Sequence, residues 1–432
     1  MKRTILCLAV LNAVAGSAVT GQTIAITNGR VFPVNGSPVD KATVLIVDGK
    51  ISAVGQKLTI PAGARKIDAT GLSVYPGWID GFTRVGLVEI SSVNATVDTT
   101  ELGAFNPYAQ AWIAVNPHSE MIRTARVNGI TTALVAPSGG RISGVASVMN
   151  LLGNYPNEMA ILKNAGLIVN LPGIGGGRRG GAEGGGGGGE GGADGAARRN
   201  AEDLEKLKQY FREAKRYAEM RARAGANAPS SSIDTGLEAM LPVLRRERPI
   251  IMAADSYKDI KSCVDFATEM GLKLVIAGGA EAWKHAELLA KNKVAVLYGA
   301  VHELPRSADD PYDTAFAAPE VLRRAGVKFA IVTGTSADNR NLPYQAGMAA
   351  AYGLEREDAL RSITQWPAEI LGIDDKVGTI EKGKLANLIV SKGDPLDIRS
   401  EIRYIFVEGR EVPPTNRNLQ MFDEFKAPPP SR

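Results

Sequence analysis

A chain of 432 residues with 44% apolar and 22% charged side chains has material for one large core and a small second domain, more than the roughly 100 to 200 residues of an average single domain. Its 50 basic and 46 acidic residues leave a formal charge of +4, spread along the chain without an aromatic and basic stripe, which argues against nucleic acid as a partner. Of the 2 cysteines, Cys7 lies in the first apolar run, so removal of that run leaves Cys263 alone and excludes an intramolecular disulfide.

In chain order, Met1-Lys2-Arg3, an apolar run over residues 5–14 and small residues from Ala13 to Ala18 have the layout of a secretory signal peptide over residues 1–21. Export across the inner membrane to the periplasm is the expected destination. The run is shorter than the roughly 20 residues that cross a bilayer, and no later segment reads as transmembrane. Residues 23–32 and 42–55 are β-branched runs containing Asn28-Gly29 and Asp48-Gly49, dipeptides that accept the positive φ of hairpin turns. Residues 377–380, 386–390 and 404–410 repeat the pattern, so a small β-domain is expected from residues 22–73 and 376–415.

Between these ends, over residues 74–375, strand and helix patterns alternate, as βα units of a parallel sheet do. Eight strands are predicted, at 74–82, 130–136, 143–151, 162–171, 249–254, 273–279, 294–300 and 327–334, and eight suggests a closed barrel. Helices are predicted at 259–270, 280–291, 319–325 and 343–353. An open flavodoxin-like sheet would leave the split β-domain unexplained. A glycine-rich insertion at 173–199 has too little apolar surface to order itself and reads as a flexible loop. It lacks the lysine and hydroxyl residue of a phosphate-binding loop. After it, Leu204, Leu207, Phe211, Ala214 and Ala218 mark an amphipathic helix over 201–223. Cys263, inside the predicted helix 259–270, reads as buried.

The first predicted barrel strand runs Val74-Tyr75-Pro76-Gly77-Trp78-Ile79-Asp80-Gly81-Phe82-Thr83-Arg84. It resembles the metal-dependent amidohydrolase superfamily, in the imidazolonepropionase-like and prolidase-like branch, whose strand reads P-G-L-I-D-x-H-x-H. Pro76, Gly77, Ile79 and Asp80 match, and residues 378–388 match that branch's G-x-I-x-x-G-K-x-A-[DN]-L. The resemblance implies a TIM (β/α)8 barrel with a composite β-sandwich domain formed by the terminal segments, and hydrolysis of a carbon–nitrogen bond in a non-peptide amide, cyclic amide or dipeptide. It also implies zinc or another divalent metal, held by histidines on strands one, five and six, an aspartate on strand eight and often a modified lysine or acid on strand four. This chain departs from that set: Phe82 and Arg84 stand on strand one, Ala253 on strand five, Gly278 on strand six and Gly334 on strand eight, with Asp338 close by. The expectation is therefore no metal and no other cofactor. Without metal, water lacks the lowered pKa that makes it a nucleophile at neutral pH.

The 3 histidines cannot rebuild the set. His118 and His285 read as exposed or capping, and His302 emerges at the barrel's functional end. The polar residues expected at the mouth are Arg84, Asn170, Asp255, Glu281, His302, Thr333, Thr335, Asp338 and Arg340. Of these Arg84, Asp255, Thr333 and Arg340 are candidates for ligand binding, and His302 with Asp338 for catalysis. Arg84 either draws in a carboxylate or pairs with Asp255 or Asp338 and plugs the barrel. Two functions remain open. One is a non-catalytic subunit that binds a small carboxylate or peptide, or partners a second copy or a related amidohydrolase subunit. The other is a hydrolase with an unorthodox site. No G-x-S-x-G nucleophile is present.

Overall fold

The computed structural model describes residues 23–174, 193–224 and 233–426; the expected signal peptide and residues 175–192 of the glycine-rich insertion lie outside these. Five strands open the chain: β1 (Ile24–Val31), β2 (Val39–Val47), β3 (Lys50–Gly55), β4 (Arg65–Asp68) and β5 (Ser73–Pro76). The β2–β3 turn is made by Asp48 (φ +49°) and Gly49 (φ +78°), the double positive φ that a two-residue hairpin loop needs. Asn28-Gly29 does something else. It lies inside β1, with Asn28 at φ +62° and the pairing register to β2 shifting between Ile26 and Gly29, so the dipeptide bends a strand by a bulge and does not end it.

The barrel strands follow: β6 (Trp78–Thr83), β7 (Ile130–Val135), β8 (Ile142–Asn150), β9 (Ala160–Val169), β10 (Ile250–Ala254), β11 (Leu274–Gly278), β12 (Ala295–Tyr298) and β13 (Phe329–Ile331). They pair in sequence order, as the eight apolar runs predict. The two end strands meet through Gly334 N–H donating to Phe82 O at 2.9 Å, and lower down through residues 362 and 363, where Ile79 N–H donates to Ile363 O and Ile331 N–H to Ser362 O. This is a TIM barrel with one departure from the expected all-parallel sheet. β8 runs antiparallel to both β7 and β9. The linkers 136–141 and 151–159 are too short for a parallel crossover, which takes a dozen or more residues.

Helices wrap the outside: α1 (Glu120–Val127), α2 (Ala193–Ala224), α3 (Thr235–Leu244), α4 (Tyr257–Met270), α5 (Ala286–Lys291), α6 (Thr314–Arg324) and α7 (Leu342–Ala351), while α8 (Gln365–Leu371) packs against the barrel interior. α2 starts at Ala193, inside the stretch expected to be loop as far as residue 199. Ala196-Ala197-Arg198-Arg199 are strong helix formers, and Arg198 pairs with Glu202 one turn on at 3.2 Å. The helix expected over 280–291 is a 3-10 turn, Ala282–His285, followed by α5. Among the described residues no helix is long and apolar enough to cross a membrane.

The barrel interior is filled by Ile79, Leu134, Val148, Ile168, Ile251, Val275, Leu297 and Val332, and Ile370 and Leu371 of α8 join the same cluster. β14 (Leu388–Lys392), β15 (Glu401–Val407) and β16 (Arg410–Val412) then return to the first domain, where β14 pairs with β5. Strands from both ends thus share one sheet and one apolar core. A buried polar weld fixes this domain to the barrel. Asn387 Nδ2 donates to Asn150 Oδ1 at 2.7 Å and Thr132 Oγ1 at 3.0 Å, its Oδ1 accepts from Glu408 N–H at 2.8 Å, and Asn150 Nδ2 donates to Glu408 Oε1 at 2.7 Å. Every polar atom of the Asn387 amide is thereby used, as burial requires.

Candidate functional site

In TIM barrels chemistry sits at the C-terminal ends of the strands. On β6 the Phe82 ring packs against the barrel interior, placing hydrocarbon where the resemblance puts a histidine. Beyond it, Arg84 is half-buried, and burial draws its guanidinium below the ordinary arginine value. Among the described residues no carboxylate pairs with it. Asp255 is engaged with Arg306 at 3.0 Å, and Asp338 is exposed, its own N–H donating to Thr335 Oγ1 at 3.0 Å. The structure therefore does not make the plug in which Arg84 is neutralised by either acid.

β10 presents Ala253 to solvent between buried Met252 and Ala254, so open space lies where a strand-five histidine would stand. β11 is closed instead. Gly278 has φ +96°, and a Cβ built on it would lie 2.4 Å from Asp255 Oδ1; the Asp255 carboxylate fills the volume a side chain would need. That same Oδ1 accepts from Ala280 N–H at 3.3 Å. After β13, Gly334 (φ +71°) is open again, since an added Cβ meets nothing within 4 Å.

Thr333 is buried and faces strand one. Its N–H donates to Asp80 Oδ1 at 3.2 Å and its hydroxyl donates to Asp80 Oδ2, while Phe82 N–H donates to Oδ1 at 3.4 Å. Asp80 has no exposure at all. Burial pushes its carboxyl up to about 7, against the lowering effect of these hydrogen bonds. The sequence marked Asp80 only as a motif match; the available signal was a single acid inside an otherwise apolar strand. Thr83 Oγ1 donates to Thr335 O at 2.5 Å, which ties the ends of β6 and β13 together.

The remaining candidates scatter. Arg340 is exposed and its Nη1 donates to Ala337 O at 2.9 Å. Asn170 Nδ2 donates to Ser143 Oγ at 2.9 Å and Gly140 O at 3.1 Å, which fixes the β7–β8 loop. Glu281 accepts from Tyr257 N–H at 2.5 Å and pairs with Lys284 at 2.8 Å, which also reaches Asp310 at 2.9 Å. His302 is exposed, with partial burial lowering its imidazole pKa. His118 is exposed as expected. His285 is not: it is buried, stacked on Tyr257 with ring centroids 3.8 Å apart, and its Nε2 lies 2.8 Å from Tyr257 O. The α4 start above it supplies both the ring and the carbonyl, which a reading of the 280–291 segment alone could not show.

Among the described residues no group of three or more His, Cys, Asp or Glu could hold a metal ion. A phenyl, a guanidinium, a methyl and two glycines do not fit a divalent cation, which binds through N, O or S donors. The fold is nonetheless that of a hydrolase-type TIM barrel carrying a split accessory sheet. The amidohydrolase family's sequence model matches residues 74–415, and the chain belongs to that family. Among solved structures, an amidohydrolase from Thermotoga maritima MSB8 is similar at a TM-score of 0.77 and 27% identity, over 91% of this chain and 100% of that one. Amidohydrolase tasK of Hapsidospora irregularis is 22% identical over 85% of this chain and 39% of its own length. An imidazolonepropionase of Mesorhizobium japonicum is 32% identical over 26% of each chain. This chain thus spans well under half the length of these two curated relatives.

Proposed function

We propose that this amidohydrolase-family chain is an exported, non-catalytic subunit that binds small carboxylates, free or at a peptide end, in its barrel mouth. The observation that carries the reading is Arg84: a half-buried cation without an acidic partner among the described residues, on the strand end where the resemblance puts a metal ligand. A guanidinium offers two parallel N–H donors to a carboxylate. Exposed Ala253 and the open space at Gly334 leave room for the body of the ligand. The same residues supply no means of activating water, so binding without turnover is the chemistry they support.

Two measurements on the purified protein test this. Metal content after dialysis should be well below one zinc, iron or manganese per chain, and stoichiometric tightly held metal would refute the non-catalytic reading. A screen of succinate, N-acetylproline and acidic dipeptides should raise the melting temperature, since a ligand at a hundredfold its Kd adds about 2.7 kcal/mol. Arg84→Ala should fold and lose that response. If no carboxylate shifts the wild type, or the variant responds equally, Arg84 is not a binding residue.

A further inference from the structure

We propose that the opposite, N-terminal face of the barrel holds a second binding site, for a small amphipathic anion, between the starts of β11, β12 and β13. A cavity of about 310 Å³ lies there, within the size range of small-molecule sites. Its walls are apolar, including Leu289, Val294, Val327 and Ile370, the last of which also packs in the barrel-interior cluster. Its rim is cationic. Lys273 stands directly before β11, Lys293 just before β12 and Lys328 directly before β13. Three neighbouring strands at about 4.8 Å spacing place the lysine backbones within roughly 10 Å of one another.

Those backbones are fixed. Lys273 O accepts from Ile250 N–H at 2.8 Å, Lys328 O accepts from Val296 N–H at 3.0 Å, and Lys293 N–H donates to Ala290 O at 3.1 Å. Against three cations the lining offers one carboxylate, Glu369, which pairs with Lys328. Lys273 and Lys293 enter no ion pair among the described residues. Like charges gathered around an apolar hollow repel one another, and a counter-charge carried on a hydrocarbon body relieves the repulsion while covering the walls. A carboxylate or phosphate ester on an aromatic or short aliphatic group has that form.

The test is calorimetric titration of the full chain with phenyl phosphate and hexanoate, beside inorganic phosphate and hexanol as the charge and the hydrocarbon alone. The expected result is saturable binding of the first two that weakens with salt and falls about tenfold or more in the K273Q/K293Q variant. That variant keeps the wild-type melting temperature without ligand, since both lysines are exposed. The same titration on Arg84→Ala should be unchanged, which separates this site from the mouth. No saturable binding, equal binding by K273Q/K293Q, or inorganic phosphate binding as tightly as phenyl phosphate would each overturn the proposal.

Discussion

Asp80→Asn should make the protein's stability less dependent on pH. In the fold the carboxyl titrates at about 7 against an ordinary value of 3.8, because burial outweighs the bonds from Thr333 and Phe82. At about 1.4 kcal/mol for each tenfold change in proton affinity, that difference corresponds to about 4 kcal/mol. The sign follows from which state holds the proton. Below about pH 4 both folded and unfolded chains are protonated at this site and the contribution is fully present. As pH rises, the unfolded chain loses its proton first, and the contribution is gone above about pH 7. An amide mimics the protonated form: its oxygen can accept the Thr333 and Phe82 N–H groups, while its NH2 donates to Thr333 Oγ1, whose own hydroxyl turns to Thr335 O, 3.4 Å away. Urea denaturation at intervals from pH 5 to pH 8 should therefore show the wild type losing about 3 kcal/mol relative to Asp80→Asn. Parallel curves for the two proteins would refute the assignment of a neutral buried carboxyl.

Two glycines at the rim should behave differently from each other. Gly278→Ala must displace the Asp255 carboxylate from 2.4 Å at a φ of +96° and should cost about 2 to 4 kcal/mol, whereas Gly334→Ala meets no atom and should cost only the left-handed strain of about 1 kcal/mol. Equal losses in thermal melts would show that Asp255 moves aside freely. Cys263, 1% exposed and with its thiol pushed up to about 12 by burial, should resist a thiol-disulfide reagent in native buffer at pH 8 and react fully in urea; rapid labelling of the native protein would contradict the burial.

The apolar runs located the eight barrel strands, because a strand buried on both faces has to read as a continuous run. The first, 74–82, merges two: Ser73–Pro76 pairs in the terminal sheet and only Trp78–Thr83 enters the barrel. The runs carried no direction. β8 is buried along its whole length, as β7 is, and only the shortness of residues 136–141 and 151–159 betrays its reversal. Asn387 was visible as the polar position of a terminal motif, but the need for it comes from Thr132, Asn150 and Glu408, which reach it from three other segments. At the rim, the substitutions at Phe82, Arg84, Ala253, Gly278 and Gly334 were legible from the motifs. That Gly278 is filled by Asp255, while Ala253 and Gly334 are open, was not. Such a distinction depends on side chains crossing between strands, which spacing along one strand does not encode. Asp255, expected either to bind ligand or to pair with Arg84, lies against Gly278 and pairs with Arg306 for the same reason.

The sheet shared by the two ends of the chain sets an order of events during synthesis. β1, β2 and β3 are neighbours in sequence and can pair as soon as they emerge, but β5 waits for β14, whose Leu388–Ser391 segment is made about 300 residues later. The entropy of closing so long a loop grows only logarithmically, so the finished sheet loses little stability by it. The cost falls on timing. Throughout elongation one edge of β5 carries unpaired N–H and C=O groups beside an apolar face, the form of edge that accepts a strand from another molecule. At high rates of production, neighbouring nascent chains compete for that edge, and exchange of the β14–β16 segment between two chains would produce a dimer in which each terminal sheet is completed by the other's last strands.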